Sequence, residues 1–375
     1  MSFEHGGNLE KAARVYGRAP ESFLDFSVNL NPLGCPPGLL DGLTQGLGRI
    51  GRYPDPRYTE ALEELGAYLG VSPEALLITN GGAEAIDLVS RLYKPALGVT
   101  LEPTFVEYRR AVINSGGQPL AIDRRPVAGG SFSADLVNHH YRYLLKQGQG
   151  GEAVLVFICN PNNPSGEFLD YPFFEALDLP GSVLVIDEAF VDFVGADAAR
   201  SAARLRALAA EGGNMVVVGS LTKSLAIPGL RLGYVVANPE TIDGLRGLQV
   251  AWSVNALAQL VAETINDPEL DEFLGRSREM VTDERRYLAG GLDALDWLTV
   301  YPSTVNYLLC KVNSGPRAAR QLINFLGRQG ILVRDCSNFA GLDARYIRIG
   351  VKTRDLNRRL LQGICNYAEV SSYEG

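Results

Sequence analysis

Over the first two thirds of the chain, apolar residues gather in short unbroken runs rather than in alternation with polar ones. The runs at 76–79, 154–159, 183–186, 215–218 and 232–236 read as strands buried on both faces, as in a parallel sheet. Between them the apolar period changes. Ala61, Leu62, Leu65 and Leu69 fall on one face of a helix over 58–69, a second helix begins after Asn80-Gly81-Gly82, and a third follows 101–108. Residues 9–16 are also helical in pattern. Residues 25–34 alternate apolar with polar positions and close on Pro32 and Gly34, which predicts an extended arm ending in a turn. Arg52-Tyr53-Pro54-Asp55-Pro56 is held extended by its prolines.

Past about residue 266 the texture changes. A charged helix over 268–292 leads into strands at 299–301 and 306–312, a helix at 317–327, strands at 331–334 and 346–350, and a last helix at 355–367. This is a smaller α+β lobe set against an open α/β sheet, and strands of such a sheet present ligand-binding side chains at their C-terminal ends.

Composition narrows the picture by exclusion. A net charge of −8 argues against a nucleic-acid or anionic-membrane partner. No apolar run reaches the roughly 20 residues of a membrane span, and the N-terminus has no basic-then-apolar leader, so a cytoplasmic protein is expected. Five scattered cysteines without a C-x-x-C pair read as reduced thiols, and three histidines leave little for a metal site, so none is assigned. His139-His140 reads as a solvated pair.

The strand ends carry the chemistry. Lys223 follows the run 215–218, with Ser220, Thr222 and Ser224 beside it and Arg231 eight positions on. Alone, such a lysine reads as a solvated loop residue. Asp187 ends the strand 183–186, where packing gives no reason for a carboxylate. Asn163 follows the run 154–159, and Gly81-Gly82-Ala83 forms a strand–turn–helix start whose free N–H groups suit an anion. Pyridoxal phosphate needs an amine, a phosphate cradle, a counter-ion for its ring nitrogen and a donor to its phenolate oxygen. Lys223 supplies the amine, and Gly82, Ala83, Ser220, Thr222 and Arg231 supply the cradle. Asp187 serves the ring nitrogen, Asn163 the phenolate, and Phe105 a ring face.

Asn80-Gly81-Gly82-Ala83-Glu84, Asn160-Pro161-Asn162-Asn163-Pro164-Ser165-Gly166, Asp187-Glu188-Ala189-Phe190 and Ser220-x-x-Lys223 with Arg231 together resemble the fold-type I family of pyridoxal-phosphate aminotransferases, across essentially the whole chain. The resemblance implies a large domain with a mostly parallel seven-stranded sheet, at 46–265, plus a smaller α+β domain and N-terminal arm, at 1–45 with 266–375. It implies a homodimer with its active site at the subunit interface, Tyr53 reaching the cofactor phosphate of the neighbouring subunit. Arg348 matches the family's binder of the substrate α-carboxylate.

Two branches of the family compete, the threonine-phosphate decarboxylases and the histidinol-phosphate aminotransferases. His5-Gly6-Gly7-Asn8, the run 25–34, Ala226-Ile227-Pro228-Gly229-Leu230-Arg231 and 252–258 are similar to the decarboxylases, as is Phe190 in place of the aminotransferases' tyrosine. That branch implies His5, Asn29, Gly34 and Arg334 as further substrate-binding residues. The reaction it implies turns L-threonine O-3-phosphate into (R)-1-amino-2-propanol O-2-phosphate and CO2 for the cobalamin nucleotide loop, with L-serine O-phosphate as a second candidate substrate. Histidinol-phosphate amino transfer is the alternative. A non-catalytic regulator on this fold is disfavoured by the intact set Asp187, Lys223, Arg231 and Arg348.

Overall fold

A computed structural model describes residues 6–124, 132–146 and 153–373. Its larger sheet has seven strands in the order Leu76–Thr79, Gly233–Val236, Met215–Ser220, Ser182–Asp187, Val154–Cys159, Leu97–Glu102 and Gln118–Asp123. Every neighbouring pair is parallel except those of Gly233–Val236, which runs antiparallel to both its partners. The unbroken apolar runs have a simple cause. Val154, Val156 and Ile158 enter one core with Leu65 and Leu69, while Leu155, Phe157 and Cys159 enter another with Ile86 and Tyr108. Successive side chains point to opposite faces, both faces are covered by helices, and so every position must be apolar.

Two strands of this sheet, Leu97–Glu102 and Gln118–Asp123, were not expected from the pattern. Gly98 interrupts the first, yet a Cβ there would collide with Val112, so the glycine is what lets the helix Glu107–Asn114 lie close on the strand. The second carries Pro119 and lies at the sheet edge, where a missing N–H costs no ladder bond. The helices Ala134–Lys146, Ala196–Glu211, Pro239–Leu248 and Ala256–Glu263 also went unread. In Ala196–Glu211 the buried face is Ala202, Leu205 and Ala209, too small to stand out as a stripe.

The second sheet is antiparallel, in the order Arg334–Asp335, Tyr346–Gly350, Tyr307–Val312 and Leu298–Val300. The expected single strand at 331–334 is a correction. Ile331–Leu332 pairs in parallel with Leu24–Asp25 of the N-terminal arm, and only Arg334–Asp335 joins the four-stranded sheet. The chain changes partner at Val333, a choice that local sequence does not encode. The arm at 25–34 correspondingly holds only the end of the two-residue strand Leu24–Asp25, followed by irregular backbone. It is nevertheless fastened at both lobes. Gly350 N–H donates to Phe26 O (2.8 Å), Asn31 N–H donates to Lys223 O (2.9 Å), and Asn31 Nδ2 donates to Ser224 O (2.7 Å). The helix Pro268–Asp293 starts in the large core through Leu270, Phe273 and Leu274 and ends in the small one through Leu288 and Leu292. Among the described residues no helix is long and apolar enough to cross a membrane.

One buried charge pair braces the strand ends that matter below. Glu188 accepts from Tyr234 Oη at 2.6 Å and from Arg206 Nη1 at 3.0 Å, while Arg206 Nε donates to Leu69 O at 3.1 Å. Glu188 N–H also donates to Val218 O (2.9 Å), tying two neighbouring strand ends together. Arg206→Met leaves the Glu188 carboxylate buried without its cation, and breaking such a pair costs about 3–5 kcal/mol. Chemical denaturation should show that loss, and Glu188→Gln combined with Arg206→Met should recover much of it.

Candidate active site

All but one of the parallel strands of the large sheet deliver their C-terminal ends to one cavity of about 450 Å³. Lys223, just beyond Met215–Ser220, lies within it. Burial, and then the charges of Arg348 and Arg231, bring its ammonium down from 10.5 to about 8, against the opposing pull of Asp187. Asp187 is the last residue of its strand and only 6% exposed. Its two oxygens accept from Tyr108 Oη (2.7 Å) and from Ala189 N–H (2.9 Å). Burial raises the carboxyl's pKa, and these donors with Lys223 hold the rise in check. Tyr108 is itself fixed, its ring stacked on Phe157 at 5.2 Å.

The helix Gly82–Tyr93 begins at the cavity wall with no side-chain cap among the described residues, and Gly82 and Ala83 line the cavity with the uncapped N–H end of the helix. Gly81 precedes it at φ 81°, and a Cβ there would run into the Arg231 guanidinium, so only glycine admits that arginine. Arg231 Nη1 donates to Pro228 O (3.2 Å), and the hydroxyls of Ser220 and Thr222 lie 2.8 Å apart beside it. These groups make one anion cradle within the reach of Lys223.

Two more arginines complete the cavity from the small sheet. Arg348 is 5% exposed and donates Nη1 to Asn163 Oδ1 (2.5 Å) and Nη2 to Ser27 O (2.9 Å), while its Nε is buried without a partner among the described residues. With Oδ1 of Asn163 turned to Arg348, Nδ2 is the donor end of that amide. Arg334, 9% exposed, donates Nη2 to Asn338 Oδ1 (2.8 Å) and lies over the Phe339 ring.

Of the residues expected to form a site, Asn29, Gly82, Ala83, Phe105, Asn163, Asp187, Ser220, Thr222, Lys223, Arg231, Arg334 and Arg348 line this one cavity. Gly34 does not. It takes φ 78° and donates its N–H to Asn31 O (3.0 Å), so its part is the turn that closes the arm. Tyr53 also lies away from the cavity of its own chain, 79% exposed, its ring 4.7 Å from that of Trp252. His5 falls outside the described residues. Sequence reasoning missed Tyr108, Asn338 and Phe339. For Tyr108 a signal existed, since it stands three residues after Phe105, and their rings meet edge to face at 5.7 Å.

A buried amine of lowered pKa, an uncapped helix start beside an arginine, a strand-end carboxylate and an unpartnered arginine Nε fit a phosphate-bearing aldehyde cofactor and an anionic substrate. Residues 21–364 match the family described as aminotransferase class I and II. The chain belongs to that family. Its enzymes work with pyridoxal phosphate, and the donor set above suits it. The chain is 34% identical over 368 residues to a threonine-phosphate decarboxylase of Salmonella typhimurium, covering 96% of each. It is 28% identical to a histidinol-phosphate aminotransferase of Methanothermobacter thermautotrophicus, covering 95% of this chain and 92% of that one. Among solved structures it is similar to an L-threonine-O-3-phosphate decarboxylase from Porphyromonas gingivalis, at 26% identity and a TM-score of 0.77, covering 92% of this chain and 99% of that one.

The lowered pKa of Lys223 has a direct readout. Only the neutral amine attacks an aldehyde, so apoprotein mixed with pyridoxal phosphate should take it up covalently at a rate that rises with pH and levels off above about 8. A rate still climbing through pH 10 would contradict the burial and charge crowding described for this amine.

Proposed function

We propose that this chain is a pyridoxal-phosphate-dependent decarboxylase that converts L-threonine O-3-phosphate to (R)-1-amino-2-propanol O-2-phosphate and CO2, the aminopropanol phosphate of the cobalamin nucleotide loop. The observation that carries this reading is the placement of Arg334 directly opposite Arg348 across two antiparallel strands, both buried and both lining the cavity. Like charges directly opposed on a sheet are destabilising, and burial makes them more so. A substrate with two anionic groups offsets that cost. Phosphothreonine carries a carboxylate and a phosphate, whereas histidinol phosphate carries only the phosphate. The similarity to the Salmonella decarboxylase supports the same choice. L-Serine O-phosphate has the same two groups and differs by one methyl, worth about 1–3 kcal/mol in a pocket.

Pyridoxal phosphate, when bound, draws the electron pair of a breaking Cα bond into its ring. Lys223 would hold it at rest, with Gly82, Ala83, Ser220, Thr222 and Arg231 on its phosphate. Asp187, steadied by Tyr108, would keep the ring nitrogen protonated. Asn163 would donate to the phenolate oxygen, and Phe105 would cover one ring face. Arg348 takes the substrate carboxylate, and Arg334, with Asn29 and His5, takes the phosphate. Which Cα bond breaks depends on which stands perpendicular to the ring, so these remote contacts choose between losing CO2 and losing a proton. Lys223 Nζ, free once substrate is bound, is suited by its pKa to return a proton to Cα.

We further infer a cytoplasmic homodimer, in which 46–265 form the cofactor-binding domain and 1–45 with 266–375 the small domain and arm. Support for the dimer comes from the exposed aromatic pair Tyr53 and Trp252, flanked in sequence by exposed Ile50 and Val250. Five unpaired cysteines suit a reducing compartment.

The second reading is amino transfer from histidinol phosphate to a keto acid, which the aminotransferase relatives favour. Incubating the holoenzyme with phosphothreonine, phosphoserine and histidinol phosphate separates the two. The decarboxylase releases CO2 from phosphothreonine with no keto acid present, and Lys223→Ala loses both that activity and covalently held cofactor. Turnover of histidinol phosphate that depends on a keto acid, without CO2 release from phosphothreonine, would overturn the proposal.

A further inference from the structure

The N-terminal arm crosses the end of the strand Tyr346–Gly350 at short range. Gly350 N–H donates to Phe26 O (2.8 Å), and a Cβ at Gly350 would run into the carbonyl of Val28. Between those two contacts stands Ser27, 6% exposed, whose backbone and side chain serve different partners. Its carbonyl accepts from Arg348 Nη2 at 2.9 Å. Its N–H and its Oγ both donate to Asp25 Oδ1, at 2.8 and 2.6 Å. Oγ in turn accepts from Gly7 N–H at 2.9 Å. A hydroxyl can donate and accept at once, so this one side chain ties residue 7 to the carboxylate of Asp25.

Gly6 bears on the same residue from closer still. A Cβ there would collide with the carbonyl of Ser27, so glycine is what lets the backbone at position 6 come so near. Ser27 O is therefore approached by the Arg348 guanidinium and by the backbone of residue 6 together. Gly6, Ser27 and Arg348 all line the cavity. A hydrogen bond from a guanidinium is strong but depends steeply on distance and angle, so a shift of this carbonyl is passed to Arg348.

We propose that Ser27 is a positioning residue, one that couples the seating of residues 6 and 7 to the direction of the Arg348 guanidinium and hence to the carboxylate that Arg348 takes. This rests on the assignment of Arg348 to a substrate carboxylate. It does not rest on which phosphorylated substrate is used, because the carboxylate of any amino-acid ligand meets the same guanidinium. Ser27→Ala removes the hydroxyl that holds both Asp25 and Gly7. Gly6→Ala pushes on the carbonyl directly. The two variants disturb Arg348 from opposite ends of one chain of contacts.

The test titrates two ligands into the holoenzyme, followed through the absorbance of the bound cofactor. L-Threonine has the carboxylate and no phosphate, whereas 1-amino-2-propanol O-2-phosphate has the phosphate and no carboxylate. Ser27→Ala and Gly6→Ala should each weaken L-threonine by about tenfold, the scale of one hydrogen bond to a charged group, and weaken the aminopropanol phosphate less. Ser27→Thr keeps the hydroxyl and should lie close to wild type. In an Arg348→Gln background neither alanine substitution should weaken L-threonine further, since both act through the guanidinium that is already gone. Losses that add to that of Arg348→Gln, or that are as large for the aminopropanol phosphate as for L-threonine, would show that Ser27 only fastens the arm, and the proposal would fall. Gly6 is partly exposed, so its variant decides the matter if Ser27→Ala does not fold. Should Arg348→Gln bind L-threonine as well as wild type does, the assignment of Arg348 fails and the proposal with it. Should the wild-type enzyme release no CO2 from phosphothreonine, only the decarboxylase reading fails, and the paired substitutions still decide on Ser27.

Discussion

Positive charge around Lys223 is packed more tightly than a protein interior tolerates by itself. Lys223, Arg231, Arg334 and Arg348 share one cavity, and its strand-end carboxylate, Asp187, is buried beneath them. Lys223 already shows the strain, since burial and two of those arginines pull its pKa down to about 8. The arrangement makes sense only as a receptacle for anions. On the reading proposed above, Gly82, Ala83, Ser220, Thr222 and Arg231 would take the cofactor phosphate, and Arg334 and Arg348 the anionic groups of the substrate.

Holding such a cluster open requires a stiff frame, and the sheet provides it at the strand ends. Asp187 and Val218 are register partners on adjacent parallel strands, and Glu188 binds the backbone of the second strand while its side chain is locked by Arg206 and Tyr234. The acid and the lysine five residues past Val218 therefore hang from one braced edge. The N-terminal arm adds a second constraint. Through Asn31 it binds the backbone of Lys223 and Ser224, and through Phe26 and Ser27 it binds the strand and side chain of Arg348. Lys223 and Arg348 come from different lobes, and the arm sets their separation.

What the sequence made legible follows from where the signal resides. Strands such as Val154–Cys159 announce themselves because both faces are buried, and a strand-end acid such as Asp187 stands out because packing gives it no excuse. Leu97–Glu102 was hidden by Gly98, whose purpose is a helix packed against it, and Gln118–Asp123 was hidden by a proline that an edge strand tolerates. Ile331–Leu332 and Arg334–Asp335 read as one strand because a change of partner at Val333 leaves no local mark. Tyr108 and Asn338 escaped for a related reason. Each acts on another residue, Asp187 or Arg334, and a side chain whose role is to orient a neighbour shows itself only once the neighbour is in place. Gly34, expected at the substrate, takes the turn that closes the arm.

The division of labour between the two sheets explains why the lysine stretch cannot name the reaction. On the proposed reading, the cofactor would be held on the large sheet, at the ends of the strands that carry Asn163, Asp187 and Lys223 and at the start of the helix after Gly81. The groups that would tilt a substrate on that reading stand on the small sheet and the arm, with Arg334 facing Arg348 across one register pair. A family built this way can keep its electron sink intact while changing which bond stands perpendicular to it, because the two sets stand on different sheets. Asn163 is the contact between them. Its oxygen accepts from Arg348, and on the proposed reading its amide nitrogen would serve the cofactor, which would refer the position of Arg348 to the cofactor ring through one side chain. On the proposed reading, selectivity between decarboxylation and amino transfer would depend on the orientation of the Arg334 and Arg348 guanidinium groups, which Asn338, Asn163 and the Ser27 carbonyl contact.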